Sequence, residues 1–330
     1  MLKLKFLFDN ASLAEMLLGN WEYDQESLDL FKYYRISSNA IYPFKTQGKI
    51  QLLRFAPKSE KSRENILGEL EFISYLSSKK YGVLETVHSK NGVELVEAQT
   101  PWGEYYASVF KRVAGVQLNQ TDLSETLIFN YGKALGKLHQ LSSEYKPNIN
   151  KRWSYSDVLS WIQALLINFP NEKQALMEAR LLQNYFDSIP ITNKNFGLIH
   201  YDFEMDNVFY EEEFQSFNII DFDDAMYHWY VMDIEQALES LQDSITPDSF
   251  QPKKQCFMEG YLTEYELSDD MTSLLPACKR FANLYAYARI LRSAEEKWKN
   301  EPEWLVNLRG KLTKAMKDKS SCFGAEIKFY

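Results

Sequence analysis

The sequence predicts an α+β fold of two lobes: a small β-rich N-terminal lobe and a larger, mainly helical C-terminal lobe. Three observations carry that expectation. Segments with strand character and turn signals dominate up to about residue 115. From about residue 116 onward, apolar residues recur at helical spacing. A short β-like insert then interrupts the helical part at 196–224. The predicted division is therefore 1–115 and 116–330.

The elements follow in order. Residues 10–19 read as a short helix with a polar start and a glycine stop. Residues 30–37 and 48–55 are rich in branched and aromatic residues and read as strands. Residues 59–80 read as a helix, because Ile66, Leu67, Leu70, Ile73 and Leu76 share a face and Ser59 can cap the start. A hairpin is expected from 84–90 to 93–99 around Asn91-Gly92. Residues 105–113 alternate as a strand and end at Ala114-Gly115. Helices are expected at 124–141, 156–167 and 172–186, then at 231–241, 250–265, 271–299 and 301–317. No internal repeat or low-complexity linker appears.

Bulk composition sets limits on function. The chain has 330 residues, enough for two lobes with a real core. Its formal charge is −9, which argues against a broad nucleic-acid surface. An acidic balance suits a cationic substrate only weakly; solubility is the favoured explanation. Cys256, Cys278 and Cys322 form no CxxC pair, so zinc-knuckle and thioredoxin-type sites are excluded. Three scattered thiols fit a reduced cytoplasm. No apolar run approaches the ~20 residues of a membrane span, so no membrane partner is expected. The N-terminus lacks a long apolar stretch after Lys3 and Lys5, and a signal peptide is not expected.

The insert carries the chemistry. An apolar run, Gly197-Leu198-Ile199, enters a His200-x-Asp202 turn; Asn207 follows, and a second apolar run ends on Asp221. Phosphoryl transfer needs an acid to orient a hydroxyl, and an amide and an acid to hold magnesium. Asp202 is the candidate base; alone it would read as a turn-forming Asx residue. Asn207 and Asp221 supply hard oxygen ligands suited to magnesium. Asp206, Asp221, Asp223 and Asp224 would repel one another without a cation, which supports metal binding nearby. Asp223 either reaches a second magnesium or makes a cap or structural salt bridge. His200 reads as a residue that orients the turn, and Asp233 as a helix N-terminal acid.

Arg54 is the one cation within the run Leu52-Leu53-Arg54-Phe55, and Glu69 or Glu71 on the next helix offers it a partner. Arg54 would then hold phosphates; the alternative is an exposed strand arginine with a weak surface pair. Gly132-Lys133-Ala134-Leu135-Gly136-Lys137 mimics a P-loop but is one spacer short and sits in a helical pattern. His139 reads as a satisfied core histidine.

With these residues in place, the chain resembles the aminoglycoside phosphotransferase-like, or protein-kinase-like, superfamily over about 30–300. The nearest-looking branch holds homoserine kinase type II, choline-kinase-like proteins and stress-response Ser/Thr kinases. The HxDxxxxN signature is matched by His200, Asp202 and Asn207, and the later metal-binding Asp by Asp221. Leu135 to His139 looks like the family's Leu-x-x-Leu-His element. Arg54 falls at the phosphate-contacting strand cation, Glu69 at the helix glutamate. Residues 37–44, with Ser37 and Ser38, look like the nucleotide-covering loop without its glycines. Residues 110–115, with Lys111, look like the interlobe hinge that contacts adenine.

The resemblance implies a protein-kinase-like two-lobe fold, ATP and Mg2+ as cofactors, and transfer to the hydroxyl of a small molecule. An aminoglycoside, an amino alcohol or a homoserine-like compound is the implied acceptor. A stress-response Ser/Thr protein kinase and a nucleotide-binding pseudokinase scaffold are the alternatives. Three departures stand out. Tyr201 replaces the family's usual glycine between His and Asp; Glu204-Met205-Asp206 replace the family's usual residues before the asparagine and add acids on the acceptor side, a departure from the usual substrates' setting; and Arg54 replaces the commoner lysine.

Overall fold

The computed structural model describes residues 1–325. The last five residues of the second predicted lobe lie outside them.

Helix α1 (Ala11–Leu18) begins where Asn10 accepts the Leu13 N–H, as its sequence predicts. The strand expected at 30–37 is instead a 3-10 segment, Gln25–Tyr33, followed by the two-residue β1 (Arg35–Ile36). Its aromatic residues serve packing: Phe31 lies edge-on to the buried Tyr42. Strands β2 (Ala40–Thr46) and β3 (Lys49–Pro57) join through Gln47 and Gly48, both at positive φ, the geometry of a tight two-residue hairpin turn. The expected covering loop at 37–44 is thus a turn at 37–39 followed by strand.

Helix α2 (Arg63–Ser78) starts at Ser62, not Ser59, because residues Lys58–Glu60 form a 3-10 turn ahead of it. The expected hairpin is corrected too. The Asn91-Gly92 turn forms, with Gly92 at φ +76 and its N–H on Ser89 O. Its flanks, β4 (Thr86–Val87) and β5 (Val96–Thr100), do not pair with each other. Both pair with the long β6 (Gly103–Lys111), which takes up their hydrogen bonds. The resulting sheet is antiparallel, in the order β1-β2-β3-β6, with β4 and β5 on the far edge of β6.

Beyond it lie β7 (Val116–Gln117), α3 (Glu125–Glu144), α4 (Tyr155–Leu166) and α5 (Lys173–Asp187). The insert supplies β8 (Phe196–Ile199), β9 (Val208–Glu211), β10 (Ser216–Ile219) and β11 (Met226–Trp229). Strand β9 lies between β7 and β10, while β11 pairs with β8. Helices α6 (Val231–Ser244), α7 (Pro247–Leu262), α8 (Asp269–Thr272), α9 (Leu275–Ser293) and α10 (Glu303–Lys319) complete the chain. No helix among the described residues is long and apolar enough to cross a membrane.

The P-loop lookalike is a helix contact. A Cβ on Gly132 would lie 1.9 Å from Phe257 O, and one on Gly260 would lie 1.9 Å from Phe129 O. Both positions must be glycine for α3 and α7 to touch backbone to backbone. The neighbouring Tyr131 donates its hydroxyl to Phe203 O at 2.5 Å, so this contact supports the turn after β8.

Candidate active site

Strand β8 delivers His200, Tyr201 and Asp202 to a turn held by one buried carboxylate. The N–H groups of His200 and Tyr201 donate to Asp233 Oδ2 at 2.8 Å and Oδ1 at 2.6 Å. Asp233 also meets His139 Nε2 at 3.1 Å, and His139 Nδ1 meets the Tyr261 hydroxyl at 2.9 Å. His139 is therefore a satisfied core histidine. Asp233, expected only to stabilise a helix start, instead anchors the turn. No local pattern marks this role, because its partners lie 32 and 33 residues away.

Tyr201 occupies the left-handed region at φ +69, which explains why glycine is the easy residue there. Its ring is buried against Phe281 and Tyr285.

His200 has both ring nitrogens committed. Nε2 meets Ile220 O at 2.9 Å, and Nδ1 accepts the Asp202 N–H at 3.2 Å. Burial lowers its pKa despite the nearby Asp233 charge, so the ring is neutral. It orients the turn and does not line the cleft. Asn207 Nδ2 donates to Asp202 O and Oδ2, both at 3.0 Å. Its backbone O accepts the Ile220 N–H at 3.0 Å, which brings Asp221 alongside. Asp221 sits at φ +64, a second left-handed residue in the site.

Asp202, Asn207 and Asp221 line one cavity of about 750 Å3 together with Ser37, Ser38, Arg54 and Lys111. Burial, then the negative charges of Glu204, Asp224 and Asp221, raise the Asp202 pKa well above the carboxylate range. Asp221 opens to the cleft yet is ringed by protein; that desolvation and the Asp223 charge push it up to about 6.

On the sheet side, Arg54 grips Glu69 with two parallel bonds, Nη1–Oε1 at 2.6 Å and Nη2–Oε2 at 2.9 Å. The guanidinium stacks over Phe110 at 4.6 Å. Glu69 is fully buried and is the partner; Glu71 points elsewhere, to the Tyr145 hydroxyl.

For Asp223 the sequence allows either a metal ligand or a salt-bridge acid. The geometry supports the second role. Lys61 Nζ lies 2.5 Å from its Oδ2, and Arg152 Nη2 donates to its backbone O at 2.6 Å. Burial alone would raise its pKa, but Lys61 and Arg54 hold it well below the usual range.

Lys111 reaches the cavity rim with a half-exposed side chain paired to Glu85 at 2.5 Å. Its N–H already donates to Glu85 O and that of Arg112 to Ile50 O, so neither is free for adenine. Sequence reading missed Lys61, Arg152 and Arg289. Each reaches the site from a distant segment, and only Arg289 carries a local signal, a cation among the small and apolar residues Ala286, Ala288 and Ile290.

Glu204, Asp206, Glu239 and Asp243 line the same cavity on its helical side. Burial raises the Glu204 pKa, and Asp206 and Glu239 reinforce it.

Comparison with known proteins gives the chain its family and the fold its likenesses. The model of the phosphotransferase enzyme family matches residues 37–271. Amicoumacin kinase of Bacillus subtilis (strain 168) is 25% identical over 274 residues, covering 79% of this chain and 80% of the relative. The solved structure of an amicoumacin kinase in complex with AMP-PNP and Ca2+ superposes with a TM-score of 0.76 at 20% identity, over 96% of this chain and 95% of that one. A microcompartment-associated aminopropanol kinase follows at a TM-score of 0.67 and 18% identity, over 95% of each chain.

Proposed function

The chain belongs to the phosphotransferase enzyme family, and on that premise we propose that it moves the γ-phosphoryl group of ATP, bound with magnesium, to a hydroxyl of an amine-bearing small molecule. The observation that carries this reading is the convergence of Asp202, Asn207, Asp221 and Arg54 on one cavity whose helical side is acidic.

The donor set fits the proposed cofactors. Asn207 spends only its Nδ2 on Asp202, which leaves Oδ1 as a ligand. Asp221 has no hydrogen-bond or ion-pair partner among the described residues, and its raised pKa marks a carboxylate short of positive charge. Among the described residues no three His, Cys, Asp or Glu side chains converge as a metal site. That suits magnesium arriving with phosphate oxygens, for which one or two protein ligands suffice. When bound, the magnesium nucleotide supplies the transferable phosphoryl group and offsets the carboxylates around it.

The chain's own residues do the rest. Arg54, fixed by Glu69, aims a guanidinium at the phosphates. Asp202, aligned by Asn207, accepts the hydroxyl proton on its carboxylate, and its raised pKa makes it a stronger base once ionised. Catalysis on this reading is positioning and charge neutralisation. Glu204 and Asp206 offer charge to an ammonium on the acceptor. Residues 1–115 serve as the nucleotide lobe and 116–330 as the acceptor lobe. A reducing cytoplasm suits the three unpaired thiols.

The test is ADP release from ATP and magnesium with a panel of acceptors: 1-amino-2-propanol, homoserine, an aminoglycoside and an unstructured Ser/Thr-rich protein. Turnover with an amine-bearing small molecule is expected, and Asp202→Asn should lower kcat on the order of 10²–10⁴-fold with nucleotide binding retained. Preferential transfer to the protein would replace this reading with a protein kinase. Nucleotide binding without any transfer would replace it with a scaffold.

A further inference from the structure

The two lobes meet along a second seam, away from the hinge, built on one end of α9. Arg289 Nη1 holds Asp224 Oδ2 at 2.5 Å while its Nη2 donates to Ser38 Oγ at 2.8 Å. One turn on, Arg292 donates to Glu60 Oε2 at 2.7 Å, and Ser293 Oγ donates to Leu2 O at 2.6 Å. Lys5 reaches Glu296 at 2.9 Å beyond them. Helix α9 is itself fixed, since Phe281, Leu284 and Ala288 are buried on its other face. The Arg289 guanidinium rests over the Tyr285 ring at 5.0 Å, so its direction is set by the C-terminal part of the chain.

Ser38 belongs to the turn between β1 and β2, closed by Ser37 N–H on Asn39 O at 3.0 Å. That turn lines the cavity wall above Arg54 and contains no glycine. Its backbone therefore lacks the freedom a glycine-rich cover has. One planar fork joins it to the loop that carries Asp221, Asp223 and Asp224.

We propose that Arg289 is a positioning residue that latches the nucleotide-covering turn at 37–39 to the acidic loop at 221–224, setting the cover from the C-terminal lobe before nucleotide arrives. The word "nucleotide" here rests on the proposed function; the latch does not. A lysine cannot replace the arginine. It keeps a charge for Asp224 but lacks the two-edged fork that spans both partners.

Two measurements test the latch. In the nucleotide-free protein, amide hydrogen exchange at residues 37–41 should quicken about 10–100-fold in Arg289→Lys and in Ser38→Ala, the range for losing a hydrogen bond to a charged group. The melting point of Arg289→Lys should stay near wild type, because Asp224 keeps a cation. For ADP with magnesium, each single variant should raise Kd by about 10-fold, and the double variant should add nothing further. In Arg289→Lys, KM for ATP should rise in the same proportion with kcat unchanged. Unchanged exchange in Arg289→Lys, or additive losses in the double variant, would overturn the proposal. Additivity would mean that Ser38 touches the ligand independently of Arg289. Faster exchange in a protein that binds no nucleotide would keep the latch and overturn the nucleotide reading instead.

Discussion

The two sides of the cleft handle charge in opposite ways. On the sheet side three cations are each paired to a carboxylate: Arg54 with Glu69, Lys61 with Asp223, Arg289 with Asp224. On the helical side Glu204, Asp206, Glu239 and Asp243 line the cavity, and among the described residues Glu239 alone of the four forms an ion pair, with Lys279 at 3.1 Å. The first arrangement is preorganised: its side chains are already where a polyphosphate would need them, so little ordering remains to be done on binding. The second arrangement holds like charges in partial burial, and a cationic ligand relieves the repulsion. On the proposed function, the two halves would take two ligands of opposite sign.

Breaking the paired half has the largest expected effect. Glu69→Gln leaves a buried guanidinium without its counter-charge and should cost about 3–5 kcal/mol in chemical denaturation. The joint replacement Arg54→Met with Glu69→Leu should recover most of that stability, yet bind magnesium nucleotide no better than Glu69→Gln. Recovery of binding along with stability would show that the pair is structural only.

Helix α6, which carries Glu239 to that half and buries Glu235 beneath it, adds a test by pH. Burial, and then repulsion from Glu239, push Glu235 up from 4.5 to about 7. The folded state holds this proton more tightly than the unfolded state does. Stability from this group is therefore full below about pH 4.5 and lost as pH rises toward 7, by about 3 kcal/mol at ~1.4 kcal/mol per unit. Glu235→Gln should flatten that decline in urea titrations at pH 5 and pH 8; an unchanged slope would place the loss elsewhere.

The smallest expected change tests the assignment most directly. Glu204→Gln should raise KM for an amine-bearing acceptor about 5-fold, with KM for ATP unchanged, as befits a half-exposed ion pair. An equal rise in both would dissolve the distinction between the halves.

Much of this was legible in the sequence where the interaction is local. Asn10 and Ser124 mark helix starts because a side chain can cap only the N–H groups just ahead of it. The spacing from His200 through Asn207 is legible for the same reason: one turn holds all of it. The choice between Ser59 and Ser62 as a cap was not, since both satisfy the same local rule and a 3-10 turn decided between them. Strands β4 and β5 were misassigned as partners because the turn chemistry at Asn91-Gly92 cannot report a third strand that competes for both. Lys61 meets Asp223 across 162 positions, and Arg289 meets Ser38 across 251. No window of sequence contains such a pair. The charge pattern of the cleft, which separates its two halves, is thus a property of the folded chain.

The contact between Gly132 and Gly260 has a mechanical consequence. With no side chain at either position, α3 and α7 come backbone to backbone there, Gly132 against Phe257 O and Gly260 against Phe129 O. Tyr131 rides on the same turn of α3 and ends on Phe203 O, one residue past Asp202. A single methyl group at Gly132 would act as a shim, tilting the helix and moving the tyrosine strut that bears on the catalytic turn. The machining tolerance of the chemistry is held at a joint buried beneath the cleft, by two residues that touch no ligand.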